Sequence, residues 1–179
     1  TGSSACAIKA VYLAAQVGPL AEAVEGLVSL WREQRVDKVF RVDTPSLATL
    51  VLRWGLRLVS GGGVLAPDVQ GLLDTAPLRT FLHDTLKPAA SGEIVGIGRN
   101  IAARRLRALA VTTSSYTTGQ SVIWVQGADI ENWERPNRRS RRTAITVEHV
   151  MASAAIPLFF PAIRLDDGWY GDGGIRMMT

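Results

Sequence analysis

Cysteine and histidine are the scarcest reactive residues in this 179-residue chain, with one of the first and two of the second. The single cysteine, Cys6, excludes an internal disulfide and leaves the redox compartment open. The two histidines, His83 and His149, each fall on a predicted helix and read as packing or surface residues. No cluster of His, Cys and carboxylates stands at ligand spacing, so neither a metal site nor a cofactor is expected. Long apolar runs are also missing: no stretch reaches the roughly 20 residues that a membrane-spanning helix needs. No basic-then-apolar leader is visible, so no signal peptide is expected. Nor is there an internal repeat or a low-complexity tract. What is left is a globular composition, 47% hydrophobic and 20% charged, sized for about one domain over 1–179. Its net charge of +4 comes mostly from arginine and suits a partner with anionic groups, such as a phospholipid surface.

The two ends of the chain hold its chemistry. At the start, Gly2-Ser3-Ser4-Ala5-Cys6 runs into Ala7-Ile8-Lys9-Ala10-Val11-Tyr12, a small-residue and apolar segment that reads as a buried helix over about 5–17. Gly2 and Ser4 fit a G-x-S-x-G elbow, in which a sharp strand-to-helix turn lifts the serine Oγ clear of the backbone. Cys6 occupies the place of the last glycine, and a side chain there is expected to crowd the turn. Lys9, on an otherwise apolar helix, must snorkel or find a partner. At the other end stands Gly171-Asp172-Gly173-Gly174, after a predicted hairpin with strands Ala162–Leu165 and Trp169-Tyr170 about an Asp166-Asp167-Gly168 turn. Glycines beside an acid let the backbone hold the carboxylate in a tight loop.

Between the ends, periodicity predicts alternating helices and strands. Gly18-Pro19 separates the first helix from a second that carries Leu20, Val24, Leu27, Val28 and Trp31 on one stripe. A third helix is expected from Ser46, with Leu47, Leu50, Val51, Trp54 and Leu58, ended by a Ser60-Gly61-Gly62-Gly63 linker. A fourth runs from Thr75 or Pro77 to Pro88, and Ser91 is expected to cap a fifth through Ile94, Ile97 and Ile101. Leu106–Thr113 and Ser121–Gln126 read as strands joined at Thr118-Gly119. The arginine run at 135–142 reads as a solvated loop, with lipid-phosphate contact a lesser role and nucleic-acid binding a distant one. Thr146 is expected to cap a last helix ended by Pro157.

Ser4 in its elbow and Asp172 in its glycine turn resemble the patatin-like phospholipases. The segments Leu73-Asp74-Thr75-Ala76-Pro77-Leu78-Arg79 and Ala152-Ser153-Ala154-Ala155-Ile156-Pro157-Leu158-Phe159-Phe160-Pro161 are similar to the family's as well. The resemblance spans essentially the whole chain. It implies a three-layer α/β domain with a mainly parallel sheet between helices. The strand leading into the elbow, and the family's glycine-rich oxyanion loop, would lie before Thr1. It also implies lipid acyl hydrolysis at a peripheral membrane surface, with Ser4 as nucleophile and Asp172 as base.

A serine hydroxyl needs a base to become a nucleophile, and the usual base is a histidine oriented by an acid. In the Ser…acid…His chain order the histidine comes last. Only Gly173 to Thr179 follow Asp172, and none is His. A Ser-Asp dyad requires no histidine. The Ala5 N–H, at the start of the helix, is a candidate oxyanion donor, helped by the helix dipole. The competing expectation is a degenerate or truncated member that binds lipid or a partner without turnover, motivated by Cys6 and by the oxyanion loop expected before Thr1.

Overall fold

The fold is a sheet with helices laid against it. The computed structural model describes residues 1–32, 74–157, 159–166 and 168–174. Its helices are α1 (Ala5–Ala15), α2 (Leu20–Arg32), α3 (Ala76–Leu86), α4 (Val95–Ala102) and α5 (Val147–Ala154). Its strands are β1 (Ala108–Ser115), β2 (Ser121–Gly127), β3 (Glu134–Arg135), β4 (Arg138–Arg142), β5 (Ile163–Leu165) and β6 (Gly168–Asp172). The helix expected from Ser46 and the Ser60–Gly63 linker lie outside the described residues.

The strands form one mixed sheet in the order β3-β4-β2-β1-β6-β5. The class is α/β, as expected, but among the described strands antiparallel pairing predominates. β1 pairs antiparallel with both β2 and β6, and the β3–β4 and β5–β6 pairs are antiparallel too. For β1–β2, β3–β4 and β5–β6 the reason is local, since a short turn joins each pair and can only return a strand antiparallel; β1 and β6 are brought together by a long connection instead. Parallel pairing survives between β2 and β4 and at the bridge from Gly2 to Val111.

One face of the sheet carries the core. Val111 and Val122 from it, Trp124 between them and Tyr170 of β6 are buried against Ala7 and Val11 of α1, Leu82 of α3, Ile97 of α4 and Val150 of α5. Trp124 is the hub. Its Nε1 donates to Thr113 Oγ1 (2.9 Å), and its ring meets His149 and Tyr170 edge-on at 4.7 and 5.3 Å.

Several local expectations shift. α1 ends at Ala15 because the buried Asn100 amide donates to the carbonyls of Ala14 and Gln16, both at 2.8 Å. Such carbonyls have no intrahelical partner. Lys9 finds its partner in Trp31 of α2, whose ring lies 4.8 Å from the ammonium. Ser91 does not cap α4; Ile94 holds that position. The 135–142 arginine run is not a loop, because most of it is strand. Ser140 is buried and is locked to Trp133 both by its Oγ, which accepts from Trp133 N–H (2.9 Å), and by its own N–H. Along β4 the pairing with β2 puts Arg139 and Arg141 on the face of Val122 and Trp124, and Arg138, Ser140 and Arg142 on the other.

Candidate active site

Strand β1 is the seam on which the two chain ends meet. Gly2 pairs with β1 through two hydrogen bonds, its N–H to Ala110 O (3.0 Å) and its carbonyl from Thr112 N–H (3.1 Å). β6 comes in on β1 at Thr113–Ser115, with Asp172 opposite Thr113. β2 holds the other edge of β1 along its length, so the Gly2 segment and β6 share one edge, end to end. Ser4 turns away into α1 at the point where Asp172 arrives.

The C-terminus of α5 ties the two together. Ser4 N–H donates to Ser153 O (3.1 Å) and to Ser153 Oγ (3.2 Å). Asp172 N–H donates to Ala155 O (2.8 Å). These are among the last carbonyls of a helix, which need acceptor work outside it. Ser153 Oγ donates in turn to Thr112 O on β1 (2.7 Å), closing the loop between helix, seam and elbow. The run Ala152-Ser153-Ala154-Ala155 is small enough to let the elbow and the strand approach this closely; all four residues are buried.

Local geometry at each end is specific. Ser4 has φ 53 and ψ −135, a conformation that residues with a side chain rarely adopt. It marks a sharp elbow. Gly2 is required beneath it: a Cβ there would stand 2.7 Å from both Ala7 Cα and Cys6 O. Cys6, by contrast, is exposed, so the crowding expected of it does not arise. Ala5 is the first residue of α1, and its N–H falls among the helix donors without an intrahelical acceptor. At the other end Asp172 is 5% exposed, and its Oδ1 accepts from Gly174 N–H (2.7 Å). Gly173 must lack a side chain, because a Cβ would meet Thr112 O at 2.3 Å. Ser114 Oγ donates to Asp172 O (2.9 Å) and fixes the turn from the far side.

The structure therefore brings Gly2, Ser4, Ala5, Asp172, Gly173 and Gly174 to one place. The histidines stand elsewhere. His83 is exposed on α3. His149 is buried on α5, and its Nδ1 accepts from Thr146 N–H (3.2 Å) and lies 2.7 Å from Thr146 Oγ1, a capping arrangement. Burial lowers its pKa to about 4, against a smaller opposing effect of Asp166. Ser153 and Ala155 lie in the family-like segment from Ala152 to Pro161, but their sequence carries no sign of the bonds that they accept from Ser4 and Asp172. Tyr116 is a second addition. Its hydroxyl lies where a Cβ of Gly171 would be, 2.1 Å away, and burial, with the Asp172 charge behind it, raises its pKa.

Among the described residues no group of three or more His, Cys, Asp or Glu side chains is placed to hold a metal ion, and no helix is long and apolar enough to cross a membrane. A cavity of about 570 Å³ opens between α1, α2, α4 and the start of β1, lined by Leu13, Asn100 and Arg105 among others. Neither Ser4 nor Asp172 lines it, so it is separate from this site.

A serine elbow and a glycine-held carboxylate meet on one sheet edge of an α/β fold. The chain belongs to the patatin-like phospholipase family, whose model matches residues 1–179. That membership points to lipid acyl hydrolysis, with lipids as substrates. No curated protein and no solved structure matches the chain significantly.

Proposed function

We propose that this protein hydrolyses lipid carboxylic esters through a dyad of Ser4 and Asp172. The observation that carries the reading is the pair of hydrogen bonds from Ser4 N–H and Asp172 N–H to α5 carbonyls two residues apart. The Asp172 carboxylate accepts the Ser4 hydroxyl proton as Oγ attacks the acyl carbon. The Ala5 N–H and the dipole of α1 stabilise the oxyanion of the tetrahedral intermediate. Collapse transfers the proton from Asp172 to the leaving alcohol and leaves the acyl group on Ser4. Water, deprotonated by Asp172, then releases the fatty acid. The commitment of His149 to the cap of α5, and the exposure of His83, favour a base other than histidine.

A fluorophosphonate probe and a chromogenic ester test this. Labelling at Ser4 is expected, with Ser4→Ala and Asp172→Asn each lowering hydrolysis by roughly a thousandfold or more. His83→Ala and His149→Ala should retain activity per folded molecule. A full-length protein that takes up no probe would instead be a non-catalytic lipid-binding member.

A further inference from the structure

We propose that the exposed residues Arg138, Tyr116, Trp169 and Arg164, at the end of the sheet where Asp172 lies, form a docking surface for anionic membranes. Directly paired strand residues share a face. Arg138 pairs with Ser121, Ser121 with Ser114, and Ser114 with Gly171, so these four form one row across β4, β2, β1 and β6, exposed at Arg138 and buried at Ser114 and Gly171. Trp169, two residues before Gly171, is on the same face and pairs with Arg164 of β5. Their neighbours in sequence, Ile163, Leu165, Tyr170 and Asp172, are buried toward the core, which fixes the outward direction of Arg164 and Trp169.

Tyr116 completes the surface. Its ring lies on Gly171, and it is 49% exposed beside Trp169, which is 48% exposed. Two half-exposed amphipathic rings are therefore flanked on each side by an exposed arginine. Four strand spacings separate Arg138 from Arg164, about 19 Å. The row contains no carboxylate, and the two ion pairs among the described residues, Arg79–Glu148 and Arg141–Asp166, use neither arginine. Trp and Tyr favour the headgroup level of a bilayer, where arginine meets phosphate. A bilayer seated here would lie over Tyr116 and Gly171, one residue before Asp172, whose side chain is on the other face. In that respect the inference rests on the hydrolase reading, although the docking itself does not require turnover.

Co-sedimentation of the full-length protein with vesicles tests the surface. Vesicles of phosphatidylcholine with roughly a third phosphatidylglycerol should bind it, phosphatidylcholine alone should bind weakly, and added salt should weaken the binding. The double variant Arg138→Glu/Arg164→Glu should lose about tenfold or more in partitioning, and Trp169→Ala several-fold. Equal binding by the charge-reversed protein would overturn the proposal. So would a failure of the unaltered protein to bind, or arginine-dependent binding to an oligonucleotide in place of vesicles. Hydrolysis of a soluble short-chain ester separates the two readings. Vesicle binding without ester hydrolysis would retire the enzyme and keep the surface; hydrolysis unaffected by the double variant, with vesicle binding also unaffected, would do the reverse.

Discussion

Ser4, the nucleophile of the proposed dyad, sits in a strained conformation. Its φ of 53 with ψ −135 belongs to a region that, for a residue with a Cβ, carries a strain on the order of 1–3 kcal/mol. Glycine has no such strain, so Ser4→Gly should raise stability by about 1 kcal/mol in denaturant unfolding while abolishing probe labelling. A destabilised variant would mean that the elbow is relaxed and its geometry serves no purpose. Ser153 acts differently, as a positioning residue. Its Oγ accepts from Ser4 N–H and donates to Thr112 O, but its carbonyl would still hold Ser4 after Ser153→Ala. The expected loss is therefore modest, about 1 kcal/mol in stability. The kinetic effect should fall on kcat, by about tenfold, with KM little changed, because orientation and not binding is disturbed. Steady-state kinetics on a soluble ester would separate this from a purely structural role, which would leave kcat per folded molecule intact. Sequence alone exposed Ser4, because its neighbours are small; it could not expose Ser153, whose partners lie 41 and 149 positions away.

At the scale of elements, α5 is the piece that joins stability to the site. Thr146 opens it as expected, but the third helical residue is His149 in the place where Glu or Gln usually completes a capping box. Nδ1 accepts the Thr146 N–H, which requires the neutral ring. Nε2 is then buried with no hydrogen-bond partner in the structure. Protonating this ring in the folded state is unfavourable, and burial lowers its pKa to about 4. The unfolded chain, with an ordinary histidine pKa near 6.5, binds the proton more readily. Stability is therefore full above about pH 6.5 and is lost as pH falls toward 4, by as much as roughly 3 kcal/mol from this group. His149→Gln keeps a side chain able to reach the cap and cannot titrate, so the pH dependence of the melting temperature between 4 and 6.5 should flatten. An unchanged slope would assign the acid sensitivity to other groups. β4 shows the opposite case of legibility. Its arginines hide a strand from any hydrophobic period, and the one buried position, Ser140, is a serine held by Trp133 and carries no apolar signal.

For the molecule as a whole, the sequence announced the meeting of its ends but not the means. Glycines around Ser4 and Asp172 marked two tight turns, and the α/β class followed from alternating helical and strand patterns. The strand directions did not follow, because whether β1 runs parallel or antiparallel to its neighbours is decided by turns such as Thr118-Gly119 and by which edge is free, not by the residues facing the core. Nor could sequence show that α5 would present Ser153 and Ala155 to both ends at once. That arrangement has a consequence for motion. If elbow and acid turn are held by one helix end and one central strand, neither should open independently of the core. The amides of Ser4, Asp172 and Thr112 donate to Ser153 O, Ala155 O and Gly2 O respectively, and all three bonds span far-separated parts of the chain. Hydrogen exchange at these three amides should then report one common opening free energy, close to that of global unfolding. Ser153→Ala should lower protection at Ser4 and Thr112 together. Exchange at Asp172 faster than at Thr112 by orders of magnitude would show the acid turn detaching by itself, and a dyad assembled only part of the time would turn over in proportion to that fraction.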